Sequence, residues 1–527
     1  MESGKPNLLK NFLVRLLLFG VLVIGVRFAY VVTVTGESCN VGDFCFFSLP
    51  ENLNFVMSGT GVGSSAIFSS DAGSVPSTTA AATGSVLRRD LYTSKDWIKA
   101  ANFYSSVFQD LISHGYLSLE SKSLCVETPK GQDVFALKEI GVSDSVGIFK
   151  KASKPLVING EAHRIPFGDN TFDFVFSGGG RLEKSPRPLD FASEIVRTLK
   201  PEGYAVVHIG AKDTYSFNSF LALFNCCNLL TIRDIDGYDS SMPFIREMIL
   251  KKECVFLSHG IKKNSHDDEN GDKCLVPGYK QDLVRKAEPL IMEEPLKPWL
   301  TLKRNIQNVK YLPSMADISF KSRYVYVDVG ARSYGSSIGS WFRKQYPKQN
   351  KTFEVYAIEA DKTFHEEYKK KKAVTLLPYA AWVKNETLSF EINRDAGDKV
   401  TDKGRGMGRI QPVKGKIQQV NTMGRYDGEV DKIQGFDFAN WLKNTVTEKD
   451  FVVMKMDVEG TEFDLIPRLF ETGAICLIDE IFLECHYNRW QRCCPGQRSE
   501  KYEKTYGQCL ELFTELRRSG VLVHQWW

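Results

Sequence analysis

The stretch YVYVDVGARSYGSSIGS (residues 324–340), followed closely by EVYAIEAD (residues 354–361), decides the fold that the sequence predicts. Residues 324–330 form a short β-branched and aromatic run of the kind that a strand buried in a parallel sheet requires. Small residues then predict a turn, a helix is expected to begin near Trp341, and a second strand ends in acids. This order predicts an open α/β sheet whose ligand lies beyond the carboxyl ends of the strands.

Polar residues at these two strand ends predict a nucleoside cofactor. Gly330 allows a ligand to approach the backbone closely, and the carboxylate of Glu359 can accept hydrogen bonds from both hydroxyls of a ribose. The dinucleotide fingerprint G-x-G-x-x-G is absent, and Gly330 and Glu359 lie further apart than its spacing of roughly 20 residues. Asp328 suits an ammonium group and would repel a pyrophosphate. S-adenosylmethionine fits these features, and the alternative is a βαβ unit that binds no ligand.

A second group of polar residues follows later strands. The run FVVMKMDVEGTE predicts a buried strand with Asp457 and Glu459 at its tip, and ICLIDEIFLECH predicts a strand that ends in Glu484 and His486. Methyl transfer to a hydroxyl needs a base within hydrogen-bond reach, so these four side chains are the candidates. Glu459 could instead stabilise a helix N-terminus, and His486 could pack behind the site. The carboxylates could also hold a divalent metal, but no metal site is assigned.

Four motifs resemble those of a known family. DVGA (328–331), AIEAD (357–361), KMDVEGTE (455–462) and FLECH (482–486) are similar, in the same order, to the motifs of FkbM-type S-adenosylmethionine-dependent methyltransferases. The resemblance covers residues 320–486. It implies a Rossmann-like class I methyltransferase fold, with S-adenosylmethionine as the cofactor.

The resemblance assigns roles residue by residue. It implies that the cofactor is bound by Asp328, Gly330, Ala331, Gly335, Glu359 and Ala360. It implies that the catalytic residues are Asp457, Glu459 and His486. The turn departs from the family pattern, because Gly330 and Gly335 are five residues apart, one more than is usual there, and this predicts a bulge.

An earlier stretch predicts another α/β domain. Residues 159–180 and 188–210 contain a strand, an amphipathic helix and a further strand, and they resemble the middle of a type 11 methyltransferase. The cofactor loop is replaced by ETPKG (127–131), and the second strand ends in Lys150 rather than in an acid. Only Glu161 remains, at the position that would face adenine. We therefore predict a methyltransferase-like domain that has lost S-adenosylmethionine and serves as a scaffold or a substrate-binding half.

The N-terminus predicts a membrane anchor. Residues 16–34 are apolar except for Arg27 and Thr33. This segment is long enough to span a bilayer. Basic residues precede this segment and acidic residues follow it, so the positive-inside rule places the body of the protein in the lumen. A cleaved signal peptide is the alternative. The sequence predicts a single-pass type II membrane protein of the secretory pathway, with the Golgi apparatus as the expected organelle.

The predicted organisation is two tandem Rossmann-like class I methyltransferase folds after an N-terminal transmembrane helix, and it resembles that of plant membrane-anchored methyltransferase-related proteins. The segments are a cytosolic tail (1–15), the anchor (16–34), a flexible Ser-, Gly-, Ala- and Thr-rich stem (35–86), the degenerate domain (87–257), a charged linker (258–297) and the FkbM-like domain (298–527). The 12 cysteines and the glycosylation sequons at Asn350 and Asn385 fit a lumenal body.

These observations favour a methyltransferase that acts on an oxygen of a hydroxyl-bearing acceptor, either a glycan or a small molecule. The chain of 527 residues has a net charge of only +4, so nucleic acid is not an expected partner. The alternative is a non-catalytic, membrane-tethered scaffold, which the degenerate first domain favours. A glycosyltransferase would share the stem but usually needs a D-x-D-type metal site, and no convincing one occurs.

Overall fold

The computed structural model describes residues 94–253, 276–295, 306–393, 407–411, 430–491, 496–500 and 502–526. The predicted anchor (16–34) and stem (35–86) lie outside these ranges. Among the helices within them, none combines the length and the apolar character that crossing a bilayer requires. The predicted linker and the Gly- and Lys-rich segment at 397–416 are described only in part.

The N-terminal half is built on a seven-stranded sheet with the strand order β3-β2-β1-β4-β5-β7-β6. Strands β1 to β5 are parallel where they pair, and β7 runs antiparallel to both of its neighbours. The strands are β1 (Ser123–Val126), β2 (Ser145–Phe149), β3 (Val157–Asn159), β4 (Phe172–Ser177), β5 (Leu199–Ile209), β6 (Cys227–Asp236) and β7 (Phe244–Lys252). The helices are α1 (Lys95–Ser113), α2 (Gln132–Glu139), α3 (Pro188–Thr198) and α4 (Thr214–Leu221).

The C-terminal half is built on a six-stranded sheet with the order β10-β9-β8-β15-β16-β17, in which every pair is parallel. This differs from the N-terminal sheet, because its last described strand is parallel rather than antiparallel. The strands are β8 (Tyr324–Val329), β9 (Glu354–Ile358), β10 (Thr375–Leu377), β15 (Phe451–Met456), β16 (Glu480–Leu483) and β17 (Leu522–Gln525). The helices are α5 (Gln281–Lys286), α6 (Leu312–Met315), α7 (His365–Lys369), α8 (Phe438–Thr445), α9 (Glu462–Glu471) and α10 (Tyr506–Arg518).

A third sheet of four strands, in the order β11-β14-β12-β13, adjoins the C-terminal sheet. Its strands are β11 (Ala380–Trp382), β12 (Glu386–Asn393), β13 (Met407–Gln411) and β14 (Val430–Asp437). Two sequence expectations change here. The run VTLLPYAAW (374–382) predicts a strand and the turn that follows it, but its last residues form β11 of another sheet; part of the Gly- and Lys-rich segment at 397–416, which predicts a loop, forms β13.

Apolar side chains on the strands and helices form the cores as the sequence pattern indicates. Every residue of β15 is buried, which agrees with a strand covered on both faces of a parallel sheet. Helix α9 buries Leu465, Ile466 and Leu469 against it and ends before Gly473, whose φ of +72° is left-handed. The helix expected near Trp341 is instead a short π-helical turn, Ile338–Phe342.

The segment predicted as a linker contributes to the C-terminal core in its described part. Leu283 is buried among apolar residues of that half. Lys280 Nζ donates to the carbonyl of Ile478 at 3.1 Å, and a carboxylate oxygen of Glu288 lies 2.7 Å from Nδ1 of the buried His524. The folded C-terminal half therefore begins before residue 298, because buried polar residues in this segment have their partners there.

The two halves contact each other within one compact unit, residues 81–527. Tyr215 in α4 donates a hydrogen bond to Asp479 Oδ1 at 2.8 Å, and both side chains are buried. Asp479 also lies 3.1 Å from Lys280 Nζ. Phe220 packs edge-on against Phe320 with ring centroids 5.4 Å apart. A buried ion cluster with an apolar border therefore joins the halves.

Candidate active site

The carboxyl ends of β9, β8 and β15 lie side by side at one edge of the C-terminal sheet. In the parallel register, Asp328 is opposite Ala357 on one side and Lys455 on the other. A cleft that is partly open to solvent lies at this edge. It is lined by Val329, Gly330, Arg332, Ile358, Glu359, Ala360, Asp361, Phe364, Tyr379, Ala380, Ala381, Phe390, Gly408, Ile410, Asp457, Val458 and Glu459.

Gly330 occupies the tightest point of this edge. Its φ is +79°, and a Cβ atom there would lie 1.8 Å from the carbonyl oxygen of Asp457. Its N–H and that of Ala331 both donate to the carbonyl of Ile358 at 3.0 Å. The glycine is therefore required by the approach of the β15 tip to the β8 turn, in addition to the ligand access that the sequence suggested.

Three of the predicted cofactor contacts are placed differently from expectation. Ala331 is fully buried in the core and does not line the cleft. Gly335 does not line it either. Asp328 is fully buried beneath it, where Oδ2 accepts hydrogen bonds from Tyr326 and Ser337. The bulged turn explains this, since the residues after Ala331 lead into a π-helical turn instead of continuing along the cleft.

Glu359 and Ala360 lie where the sequence predicts. Glu359 is 8% exposed, and its carboxylate accepts hydrogen bonds from the backbone N–H groups of Arg332 at 2.5 Å and Asp361 at 2.6 Å. Burial raises the pKa of Glu359 to about 7, although these two hydrogen bonds favour the charged form. The carboxylate thus joins the β8 turn to the β9 tip and borders the cleft.

Aromatic and small residues beyond β9 complete the wall of the cleft. Tyr379, Ala380 and Ala381 line it, as expected of the turn that the sequence analysis placed beside adenine. Gly408 and Ile410 of β13 line it as well. Sequence reasoning missed β13, because a Gly- and Lys-rich segment offers little strand signal; its partner β12 supplies the pairing.

Acidic side chains and one histidine gather at the tips of β15 and β16. The Nε2 atom of His486 lies 3.5 Å from Asp457 Oδ1, 3.9 Å from Glu484 Oε1 and 4.0 Å from Glu459 Oε1. Lys455 Nζ lies 3.4 Å from Asp457 Oδ2. The sequence therefore brought together the correct four polar residues, and Lys455 is an additional member that its position within an apolar strand had marked.

The backbone and two neighbouring side chains hold these groups. Glu459 has a left-handed φ of +51°, unusual for a residue with a side chain, and accepts a hydrogen bond from Tyr502. The fully buried Glu462 accepts from the N–H groups of His486 at 2.6 Å and Gly460 at 2.9 Å. The Cys485–Cys509 disulfide ties the end of β16 to α10.

The surrounding charges and burial shift the pKa values of His486 and Glu484. Burial opposes protonation of His486, but the nearby carboxylates of Glu462 and Glu459 raise its pKa to about 10. Burial and the charge of Asp457 raise the pKa of Glu484 well above its usual value. A pKa of about 10 means that His486 favours its protonated form at neutral pH in this state. Asp457 and Glu459 line the cleft beside it.

The corresponding edge of the N-terminal sheet does not fit S-adenosylmethionine. Thr128 in the loop after β1 is buried, and its hydroxyl donates to Asp133 Oδ1 at 2.6 Å. A Cβ atom on Gly147 would lie 2.5 Å from the methyl group of Thr128, so the loop packs directly on β2. The strand is followed by the exposed Lys150 instead of an acid. These contacts agree with the degenerate domain that the sequence predicts.

Two family models match the sequence. A methyltransferase domain model (Methyltransf_11) matches residues 140–207, which begin after the 127–131 loop and end in β5. A domain of unknown function (DUF7870) matches residues 284–391 and 411–527. A search of curated proteins gave no match.

Solved structures with some similarity are methyltransferases. One is the 1,6-didemethyltoxoflavin-N1-methyltransferase of Burkholderia thailandensis with bound S-adenosylhomocysteine, at 14% identity and a TM-score of 0.26, covering 34% of this chain and 94% of that one. Another is a Methanosarcina mazei methyltransferase, at 16% identity and a TM-score of 0.23, covering 27% and 98%. A putative sarcosine dimethylglycine methyltransferase from Galdieria sulphuraria has 14% identity and a TM-score of 0.24, covering 30% and 86%.

One of the two family models is that of an enzyme domain. A methyltransferase domain within an α/β Rossmann-like fold supports S-adenosylmethionine-dependent methyl transfer as the activity. It also agrees with S-adenosylmethionine as the cofactor predicted from the sequence, but the matched residues 140–207 belong to the N-terminal half and not to the half whose cleft was predicted to bind it. The match to DUF7870 begins at residue 284, which agrees with the early start of the folded C-terminal half.

Proposed function

We propose that the chain is an O-methyltransferase with two methyltransferase-like folds in tandem, and that its C-terminal, FkbM-like half binds S-adenosylmethionine and transfers the methyl group. One observation carries this proposal. A single cleft is lined at one side by Glu359, suited to a ribose, and at the other by Asp457 and Glu459, suited to a hydroxyl acceptor. In the N-terminal half the acids near the strand ends are Glu127 after β1 and Glu161 after β3, whereas Lys150 follows β2 and Ser177 ends β4.

The residues that would hold the cofactor follow from the chemistry of the cleft. Glu359 would accept hydrogen bonds from ribose hydroxyls, since each carboxylate oxygen has a lone pair beyond the one used by the backbone. Tyr379 and Phe390 offer apolar surface for an adenine. Asp328 is fully buried beneath the cleft, and its Oδ1 atom lies 3.9 Å from Lys455 Nζ, so this carboxylate has a cationic neighbour within the protein. The bound cofactor would supply a methyl group on a positively charged sulfur.

The protein's own contribution is to orient and deprotonate the acceptor. Asp457 and Glu459 face the cleft and can accept the proton of an acceptor hydroxyl. Lys455 Nζ lies 3.4 Å from Oδ2 of Asp457, and this contact helps to orient the carboxylate. Positioning of this kind supplies much of the rate in methyl transfer, because the methyl donor is already a strong electrophile.

Titration calorimetry of S-adenosylhomocysteine into the full chain tests the proposal. We expect binding that weakens about 10- to 100-fold in Glu359→Gln, since one or two charge-assisted hydrogen bonds of about 1.5–3 kcal/mol are lost. The control is Glu161→Gln, an exposed acid after β3 of the N-terminal half, which should leave the affinity unchanged. Equal loss in both variants, or loss only in the control, would exclude the C-terminal site.

A non-catalytic scaffold is the second candidate function. It is favoured by the turn after β8, whose first two N–H groups are already used by Ile358, and by the closed edge of the N-terminal half. The same titration separates the two candidates, because a folded chain that binds no S-adenosylhomocysteine would support the scaffold.

We propose further that the protein is a single-pass type II membrane protein of the secretory pathway, located in the Golgi, with a glycan hydroxyl or a small molecule as the acceptor. The Cys485–Cys509 disulfide supports an oxidising compartment. Both sequon residues, Asn350 and Asn385, are exposed. Glycosidase treatment of the protein from its native cells should increase its gel mobility, and the double variant Asn350→Gln, Asn385→Gln should not respond.

A further inference from the structure

The cluster at the tips of β15 and β16 has the composition of a cation site. Ligand atoms of Asp457, Glu459 and His486 all lie within 4.8 Å of one another. Glu484 adds a third carboxylate, 3.9 Å from His486 Nε2. The contacts of Nε2 with these acids, at 3.5–4.0 Å, are longer than hydrogen bonds. The imidazole nitrogen and three carboxylates therefore surround a common point without bonding to each other.

An unsatisfied atom provides a second and independent observation. Among the described residues, no hydrogen bond reaches the buried Oδ1 atom of Asp457, which lies 3.5 Å from His486 Nε2. The Nδ1 atom, on the other side of the imidazole ring, lies 3.3 Å from Oε1 of the buried Glu462, and this contact orients the ring. Buried polar atoms are normally paired, so the unpaired Oδ1 atom indicates a missing partner between Asp457 and Nε2.

The local charges also call for a cation. Asp457, Glu459, Glu462 and Glu484 surround His486, and Lys455 is the one lysine that contacts Asp457. Glu462 and Lys455 are almost completely buried. Gathering this many carboxylates away from water is unfavourable unless positive charge accompanies them. Without a metal, the protonated His486 and Lys455 supply that charge, and a divalent ion would take the place of the imidazole proton.

We propose that Asp457, Glu459, Glu484 and His486 bind one divalent transition-metal ion, with Mn²⁺ as the best-matched class. Carboxylate oxygens suit Mg²⁺, Ca²⁺ and Mn²⁺, whereas an imidazole nitrogen suits transition metals, so the mixed set favours Mn²⁺ over the first two. Ligand atoms around such an ion are about 3 Å apart.

The neighbouring residues hold the ligands as a metal site requires. Tyr502 binds one oxygen of Glu459 and leaves Oε1 directed at the cluster. Lys455 contacts Oδ2 of Asp457 and leaves Oδ1. Outer contacts of this kind orient metal ligands and commonly change metal affinity by about 10- to 100-fold.

The ion would lie beside the proposed acceptor, because Asp457 and Glu459 both line the cleft. A divalent ion there would polarise an acceptor hydroxyl and favour loss of its proton. This role rests on the proposed methyltransferase function, whereas binding of the ion does not. Metal binding is therefore measured without cofactor, so that its failure is distinct from failure of the cofactor titration.

The test is Mn²⁺ titration of the chelator-treated full chain, followed by calorimetry and by the electron paramagnetic resonance signal of free Mn²⁺. We expect one ion per chain, with affinity reduced at least about tenfold in His486→Gln and in Glu459→Gln. The matched control is His163→Gln in the N-terminal half, where an exposed histidine lies 3.2 Å from Glu161; its Mn²⁺ affinity should equal that of the unmodified chain.

Three outcomes would overturn the site. They are no stoichiometric Mn²⁺ binding to the folded chain, binding that neither cluster variant weakens, and tighter binding of Mg²⁺ or Ca²⁺ than of Mn²⁺, which would remove His486 from the ligand set. If His486→Gln does not fold, the Glu459→Gln variant decides the question, since that side chain lies at the cleft surface. Absence of binding would leave the cluster as an ion-pair network around a protonated histidine.

Discussion

The N-terminal and C-terminal sheets share the central strand order 3-2-1-4-5, yet their carboxyl edges differ at the tips of the second and fourth strands. The C-terminal edge carries Glu359 after its second strand and Asp457 after its fourth. The N-terminal edge carries Lys150 and Ser177 near the equivalent positions. The strand order is set by apolar packing within the sheet, whereas the chemistry is set by a few residues at the strand tips. Two copies of one architecture can therefore differ completely in function.

Three glycines with nearly equal φ sharpen this comparison. Gly115, Gly131 and Gly330 have φ of +78°, +76° and +79°. A Cβ atom added to Gly115 would meet nothing within 4 Å, and one added to Gly131 would lie 2.9 Å from the side chains of Leu156 and Val157. One added to Gly330 would lie 1.8 Å from the carbonyl oxygen of Asp457. Denaturant unfolding should show a loss of about 1–2 kcal/mol for Gly115→Ala, more for Gly131→Ala, and about 4 kcal/mol or more for Gly330→Ala. Equal losses of stability in the three variants would mean that the left-handed backbone conformation alone, and not the contacts of the added Cβ atom, determines the cost.

Asp457→Asn should separate the two halves by activity. We expect methyl transfer from labelled S-adenosylmethionine to fall about 10²- to 10⁴-fold, because the group that accepts the acceptor proton is lost, with the fold retained. The control is Ser177→Ala at the equivalent strand end of the N-terminal half, which should transfer at the normal rate. Acceptor fractions from cells that lack the protein provide the assay, and full activity in Asp457→Asn would reject its role.

Glu359 predicts a pH dependence confined to the C-terminal half. Its pKa is raised to about 7 in the folded chain, so the folded state holds this proton more tightly than the unfolded state. Its contribution to stability is therefore present below pH about 4.5 and is lost as the pH rises through 7, by at most about 3 kcal/mol. The free energy of unfolding, measured from pH 5 to 8, should decline less steeply with pH in Glu359→Gln than in the unmodified chain. Identical slopes in the two proteins would contradict the raised pKa.

The smallest expected effect concerns the joint between the halves. Tyr215→Phe removes the hydrogen bond to Asp479 Oδ1 and leaves the ring in place. We expect a loss of about 1 kcal/mol, shared by both halves if they unfold together. If calorimetry shows that Tyr215→Phe lowers the unfolding temperature of only one half, the two halves are energetically independent.

The sequence predicted the core strands and the tip residues well, because both depend on short-range patterns. The apolar runs at β8 and β15 and the acids that follow them needed no tertiary information. The positions of Ala331 and Gly335 could not be predicted without tertiary information, because they depend on how the bulged turn packs. The contact of Tyr502 with Glu459 spans 43 residues, so no local pattern could reveal it. Buried partners across the chain likewise placed part of the predicted linker in the folded C-terminal half.

The Cys485–Cys509 disulfide makes the geometry of the acidic cluster depend on the redox conditions in which the chain folds. Cys485 lies between Glu484 and His486, so oxidation fixes the segment that carries both side chains to α10. In a reducing cytosol the same segment would be held by packing alone. We therefore expect the site to be completed only after export, and production in a bacterial cytosol to yield folded but poorly competent protein that gains ligand affinity on oxidative refolding.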